Sequence, residues 1–207
     1  MRIDDTDALI VVDVQNDFCS GGALAVPDGD AVVAPLNQLM ARFPIVVGTQ
    51  DWHPAGHGSF ASSHVGKAPF DQIDLAYGAQ TLWPDHCVQG TAGAAFHKDL
   101  DADRFEMVVR KGFNPDVDSY SAFQENDRRT VTGLAGYLKE RGVARVFLGG
   151  LAGDYCVYYS AMDAKAAGFE TAFLEDCVRD IDLAGTGTEA RRAMDAAGIE
   201  RLRSDAL

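Results

Sequence analysis

A succession of short apolar runs, bounded by Gly, Pro or Asp, constrains this chain more than any other feature. They lie at Ala8 to Val12, Pro44 to Val47, Met107 to Val109, Val146 to Leu148 and Thr171 to Leu174, with a weaker one near Ile199 to Leu202. Runs this short and this apolar read as strands buried on both faces, as in a parallel sheet. Helical stripes separate several of them. Val32, Val33, Leu36, Leu39 and Met40 mark the first, and Val131, Leu134 and Leu138 a second that stops at Gly142. A third follows Cys156 and stops at Gly168, and a fourth runs from Thr188 to Gly198 with Thr188 as its expected N-cap. Alternating strands and helices predict an α/β fold, a three-layer α/β/α arrangement around a central, mainly parallel six-stranded sheet with right-handed crossovers. No linker or repeat divides residues 1–207, so one domain is expected, and 207 residues suffice for a substantial core.

The alternation breaks between residues 51 and 104, a stretch rich in Gly, Pro, His and aromatic residues with no sustained period. Irregular segments of that length inside a compact domain usually serve a site. Ligands of open parallel sheets bind beyond the carboxyl ends of the strands. Asp13 ends the first apolar run, Asp51 follows the second, Lys111 ends the third, and Cys156 follows the fourth through Gly149-Gly150-Leu151-Ala152-Gly153-Asp154-Tyr155. Four reactive side chains are thus expected on one rim.

Cys156 stands where a Gly-rich turn enters a helix, near exposed N–H groups and the positive end of the helix dipole, which favours thiolate. Asp13 could take a thiol proton, and Lys111 could hold the anion. The turn could present two N–H groups to an oxyanion. Each residue also has a plain structural use: Asp13 as a strand-end cap, Lys111 as a surface charge, Cys156 as a buried small side chain.

A second cluster is Asp51-Trp52-His53-Pro54-Ala55-Gly56-His57, with Trp83-Pro84-Asp85-His86-Cys87 further on. Residues two apart in extended chain share a side, so Asp51 and His53 can converge on one ion. His86 is the natural third ligand and His57 a weaker fourth. One carboxylate with imidazoles suits a single divalent ion, Zn, Fe or Mn, although loop histidines commonly cap or hydrogen-bond instead. Phe18, Trp83, Tyr120, Phe123 and Tyr155 flank these motifs and could wall a flat pocket, Phe123 serving equally well in the core. His64 and His97 read as surface residues. Cys19, Cys87 and Cys177 read as packed apolar side chains, and no C-x-x-C pair suggests a disulfide framework or a zinc knuckle.

The segments Val11-Val12-Asp13-Val14-Gln15-Asn16-Asp17-Phe18-Cys19, Asp51-Trp52-His53-Pro54, Trp83-Pro84-Asp85-His86-Cys87-Val88, Arg110-Lys111-Gly112 and Gly149 to Val157 together resemble the nicotinamidases (pyrazinamidases) of the isochorismatase-like cysteine hydrolase superfamily. The resemblance implies Asp13, Lys111 and Cys156 as a catalytic triad, and a cis peptide between Leu151 and Ala152. It also implies an oxyanion hole from the N–H groups of Ala152 and Cys156. Asp51, His53 and His86 are implied as metal ligands; relatives differ in whether the histidine at His57 binds directly or through water. Phe18, Trp83, Tyr120 and Tyr155 would meet the substrate, nicotinamide, whose deamidation through a Cys thioester would serve NAD salvage. Gly153 departs from the pattern, standing where many relatives carry Thr. Rival readings are a sister hydrolase acting on a ureido, maleamate or vinyl-ether substrate, and a non-catalytic ligand-binding domain.

Charge excludes other classes. With 31 acidic against 18 basic residues and only the Arg128-Arg129 and Arg191-Arg192 pairs as basic runs, nucleic acid and anionic membrane are poor partners. No apolar stretch approaches the roughly 20 residues of a bilayer span, and Met1 to Asp5 shows no export pattern. A cytoplasmic protein is expected; association into a homo-oligomer is left open.

Overall fold

The computed structural model describes residues 1–207. In chain order the regular elements are β1 (Asp7–Val12), α1 (Val33–Met40), β2 (Ile45–Asp51), β3 (Gln72–Leu75), β4 (Gly78–Thr81) and β5 (Met107–Lys111). They continue with α2 (Leu134–Glu140), β6 (Arg145–Leu151), α3 (Tyr158–Ala166), β7 (Glu170–Arg179), α4 (Thr186–Ala196) and β8 (Glu200–Leu202). Six strands form one sheet in the order β5-β2-β1-β6-β7-β8, every adjacent pair parallel.

Every residue of β1 and of β2 is buried, because helices cover both faces. Leu9 and Val11 point into one core with Leu36, Leu39 and Met40 of α1. Ala8, Ile10 and Val12 point into the other, with Leu134 and Leu138 of α2, Ala161 and Ala164 of α3 and Met194 of α4. Strand order reverses direction between β1 and β6: the chain winds outward through β2 and β5 on one side and through β7 and β8 on the other. The crevice above that reversal is the ligand position of an open parallel sheet. Gly150 lets β6 close against β1 there. Its φ is 127°, and a Cβ would stand 2.0 Å from the Val12 carbonyl oxygen.

Several boundaries differ from expectation for identifiable reasons. β2 runs on through Thr49, Gln50 and Asp51 because their polar groups are satisfied inside: Gln50 Nε2 donates to Ala94 O (2.8 Å) and Thr49 Oγ1 to Asp13 (2.6 Å). Val131 does not belong to α2; it is 72% exposed and bridges to Gln124, and Gly133, with φ 92°, opens the helix. α4 begins at Thr186 behind Gly185 rather than behind an N-cap at Thr188.

The irregular stretch after β2 contains a two-stranded antiparallel hairpin, β3–β4, whose mixed polarity hid it. It is tied back to the end of β1: Gln15 Nε2 donates to Asp51 O and Ala94 O (both 2.9 Å), and Asp17 accepts the Cys87 N–H (2.7 Å). No helix is long and apolar enough to cross a membrane.

Candidate active site

The four rim residues converge. Asp13 is the first residue beyond β1, Asp51 and Lys111 are the last of β2 and β5, and Cys156 lies in a single π-helical turn, Gly153–Val157, between β6 and α3. The Lys111 side chain is fully buried. Its Nζ lies 2.8 Å from Asp13 Oδ2 and donates to Asp51 Oδ1 (2.5 Å), Ser119 O (2.9 Å) and Cys156 Sγ (3.4 Å). That burial rules out a surface charge. Asp13 uses Oδ1 to accept the Thr49 hydroxyl, whereas Oδ2 sits against the ammonium without an aligned hydrogen bond. Sγ of Cys156 lies within 4.8 Å of carboxylate oxygens of both Asp13 and Asp51.

The electrostatics correct one expectation. Burial pushes the Cys156 thiol well above its ordinary pKa, and although Lys111 opposes this, Asp13 and Asp51 reinforce it. The cysteine rests as a neutral thiol, not a thiolate. Burial also raises Asp13, against the pull of Lys111. For Lys111 burial acts downward, but the Asp13 and Asp51 charges win and raise it well above the usual value. Burial likewise opposes ionisation of Asp51, which Lys111 and His53 nevertheless hold well below the usual carboxylate range.

The Leu151–Ala152 peptide is cis, as the resemblance implied. Tyr155 and Val157 N–H both turn inward to Ala152 O (3.1 Å each), while the N–H groups of Ala152 and Cys156 make none of the turn and loop backbone bonds. Gly153 leaves space that Asp180 fills, since a Cβ there would lie 2.2 Å from Asp180 Oδ1. A Thr at this position would have to displace that carboxylate.

Beside this cluster, Nε2 of His53 and of His86 each lie 3.5 Å from Asp51 Oδ2. The other nitrogen of each ring faces a carbonyl: His53 Nδ1 donates to Gly112 O (2.9 Å) and His86 Nδ1 to Pro84 O (2.8 Å). In its neutral form each ring, with its one proton on Nδ1, would present an Nε2 lone pair beside a carboxylate oxygen. Three acceptors facing one point suit a cation, and a carbonyl orienting the far nitrogen is the usual outer contact of a metal-bound histidine. His57 differs. Its Nε2 donates to Asn114 O and its Nδ1 accepts from Ser59 Oγ (2.8 Å each), so protein groups occupy both nitrogens.

Phe18, Trp83, Tyr120 and Tyr155 line one narrow pocket together with Asp51, His86, Ala152 and Cys156. Trp83 stands edge-on to Tyr155 (4.9 Å between centroids) and donates Nε1–H to Tyr120 OH (3.3 Å). A broader depression outside shares Tyr120 and Tyr155 but touches none of Asp13, Lys111 and Cys156. Phe123 turns away into the core beside Phe169. His64 and His97 are half-buried rather than surface residues: His64 meets Gly58 O (2.8 Å) and His97 meets Asp30 (3.2 Å). Cys19, Cys87 and Cys177 are buried as expected. Leu24, Ile181 and Asp118 also face the pocket and were not foreseen.

A parallel α/β sheet carrying a buried Cys/Asp/Lys cluster at its switch point, beside three side chains that could hold a metal ion, defines the class: an α/β protein with a candidate cysteine-nucleophile site. The chain belongs to the isochorismatase family, whose isochorismatase domain matches residues 7–204. It is 52% identical over 197 residues to a nicotinamidase of Acinetobacter baylyi, covering 95% of this chain and 92% of the relative. A solved nicotinamidase/pyrazinamidase of Acinetobacter baumanii superposes with a TM-score of 0.97 at 50% identity, covering 99% of each chain. A pyrazinamidase of Pyrococcus horikoshii solved in complex with zinc superposes at 0.78 with 37% identity, covering 96% of this chain and 99% of the other.

Proposed function

We propose that this chain hydrolyses nicotinamide to nicotinate and ammonia, with Cys156 as nucleophile. The observation that carries the reading is the pocket itself. Cys156 and the Asp51/His86 edge of the metal-type cluster face the same aromatic-walled space, so one flat ring could meet both. Nicotinamide carries its carboxamide meta to the ring nitrogen, so the two groups leave one flat ring in different directions, toward different parts of the pocket wall. The near relatives named as nicotinamidases support the same substrate.

Asp51, His53 and His86 would hold one divalent ion, with His57 outside the direct ligand set. When bound, that ion supplies a Lewis acid for the pyridine nitrogen, and Zn, Fe and Mn all tolerate this donor set. The chain's own residues do the rest. Phe18 and Trp83 flank the ring and orient the carboxamide carbon toward Sγ. Asp13 Oδ2, the carboxylate oxygen without an aligned donor, accepts the thiol proton as the S–C bond forms. Because the thiol rests neutral, this transfer accompanies attack. The N–H groups of Ala152 and Cys156 hold the oxyanion. Collapse breaks the C–N bond, and Asp13 returns its proton to the departing ammonia. Water, giving a proton to Asp13, then attacks the thioester; nicotinate leaves and Cys156 regains the proton. Lys111 keeps the cluster's charge balanced throughout. Nicotinate made this way would enter NAD salvage.

Ammonia release from nicotinamide by wild type and Cys156→Ala tests this reading. Loss of about 10⁴-fold or more in the variant is expected for a removed nucleophile. Retained release by Cys156→Ala would refute it. The sister-hydrolase reading has no equivalent support, since it makes no use of the Asp51, His53 and His86 convergence.

A further inference from the structure

Asp118 is the charged pocket residue that the scheme above leaves unused. It is 2% exposed and faces the same space as Asp51, His86 and Cys156. Its partners are neutral: Oδ1 accepts the Ser119 N–H (2.8 Å) and Oδ2 accepts Gln80 Nε2 (2.7 Å). No lysine or arginine pairs with it, although one of its oxygens lies within 4.8 Å of ring nitrogens of His53 and His57. Buried carboxylates are normally paired, because an isolated one loses its hydration without return.

The balance of charge around the pocket explains the exception. Asp13, Asp51 and Asp118 are buried carboxylates, and Lys111 is the buried ammonium among them, so two negative charges remain in excess. A divalent ion cancels two. We propose that Asp118 is a positioning residue for the metal centre: without ligating, it supplies the second uncompensated negative charge that a divalent ion at Asp51, His53 and His86 neutralises. Gln80 on β4 and the Ser119 N–H hold it at that distance, which gives the β3–β4 hairpin a task at the site. The proposal rests on the metal reading above and adds to it a residue that the ligand set does not contain.

Asp118→Asn tests it, because the change removes the charge and keeps the shape. Zn²⁺ affinity would be measured on metal-stripped full-length protein by competition with a chromophoric chelator, and thermal midpoints taken with and without Zn²⁺. The expected result is a loss of about 10- to 100-fold in Zn²⁺ affinity, the range typical of outer-contact changes. The stripped variant should melt no lower than stripped wild type, because an unpaired charge has gone. A purely structural role predicts the reverse, a lower midpoint of the stripped protein with Zn²⁺ affinity unchanged, and that result would overturn the proposal. Asp118→Glu keeps the charge and is expected to recover part of the affinity; recovery no better than Asn would also count against it. Wild type that takes up no Zn²⁺ would overturn the metal reading and this one together, whereas normal uptake by Asp118→Asn would overturn this one alone.

Discussion

Lys111 shows how the site is held together at the scale of single residues. A buried ammonium survives only when opposite charges offset its lost hydration, and Asp13, at 2.8 Å, and Asp51, at 2.5 Å, do so. Lys111→Met would leave those carboxylates facing one another without a cation. A stability loss of about 3 to 5 kcal/mol is expected, as for breaking a buried pair, and urea unfolding of the metal-stripped protein would measure it. As the base of the proposed scheme, Asp13 sets the pH dependence. Burial raises it above 3.8, the ordinary aspartate value, and protonation removes the base. Activity should therefore fall as pH drops through a value above 3.8, read from the acid limb of kcat/KM for nicotinamide. Asp13, Asp51, Lys111 and Cys156 were legible in the sequence because each closes or follows an apolar run. Asp118 was not, since it stands on an irregular loop where no period marks which side chains turn inward. The thiolate expected at Cys156 failed for a related reason. Position at a turn is visible in sequence, but the burial of the sulfur and the Asp13 and Asp51 charges around it belong to the tertiary structure.

Among the elements, the π-turn that presents Cys156 is fixed from outside itself. Asp154 accepts the Ile181 N–H (3.0 Å), the Asp182 N–H (2.8 Å) and the Thr186 hydroxyl (2.5 Å), tying the turn to the connection from β7 into α4. Asp154→Ala would leave those two backbone donors without their acceptor. Both donors are only part-buried, so each falls at the low end of the about 1 to 3 kcal/mol for an unpaired group, and a loss of about 2 kcal/mol is expected by thermal denaturation. KM and kcat should both worsen if the turn shifts, because Tyr155 and Cys156 move with it. The sheet strands were readable from their apolar runs, whereas the hairpin β3–β4 was not: β3 alternates exposed and half-buried positions, β4 buries only the polar Gln80, and the two carry few apolar side chains. The start of α4 was misplaced because Gly185, with its left-handed backbone, sets the boundary rather than a side-chain cap at Thr188.

For the whole molecule, the order of the strands gives the site its place. Winding outward in both directions from β1 and β6 opens one crevice, and Asp13 and the Ala152 to Cys156 turn are the segments leaving those two strands. Strand composition predicted the parallel sheet but not which strands would be neighbours; that depends on crossovers packing on opposite faces, which only the two separate cores reveal. The central claim is that Cys156 forms a thioester with the acyl group of nicotinamide. Acid quenching during turnover, followed by peptide mass spectrometry, tests it most directly. The account predicts a nicotinoyl group on the peptide that carries Cys156 and on no other. Turnover of nicotinamide with that peptide unmodified, in a protein whose Cys156→Ala variant still releases ammonia, would contradict it.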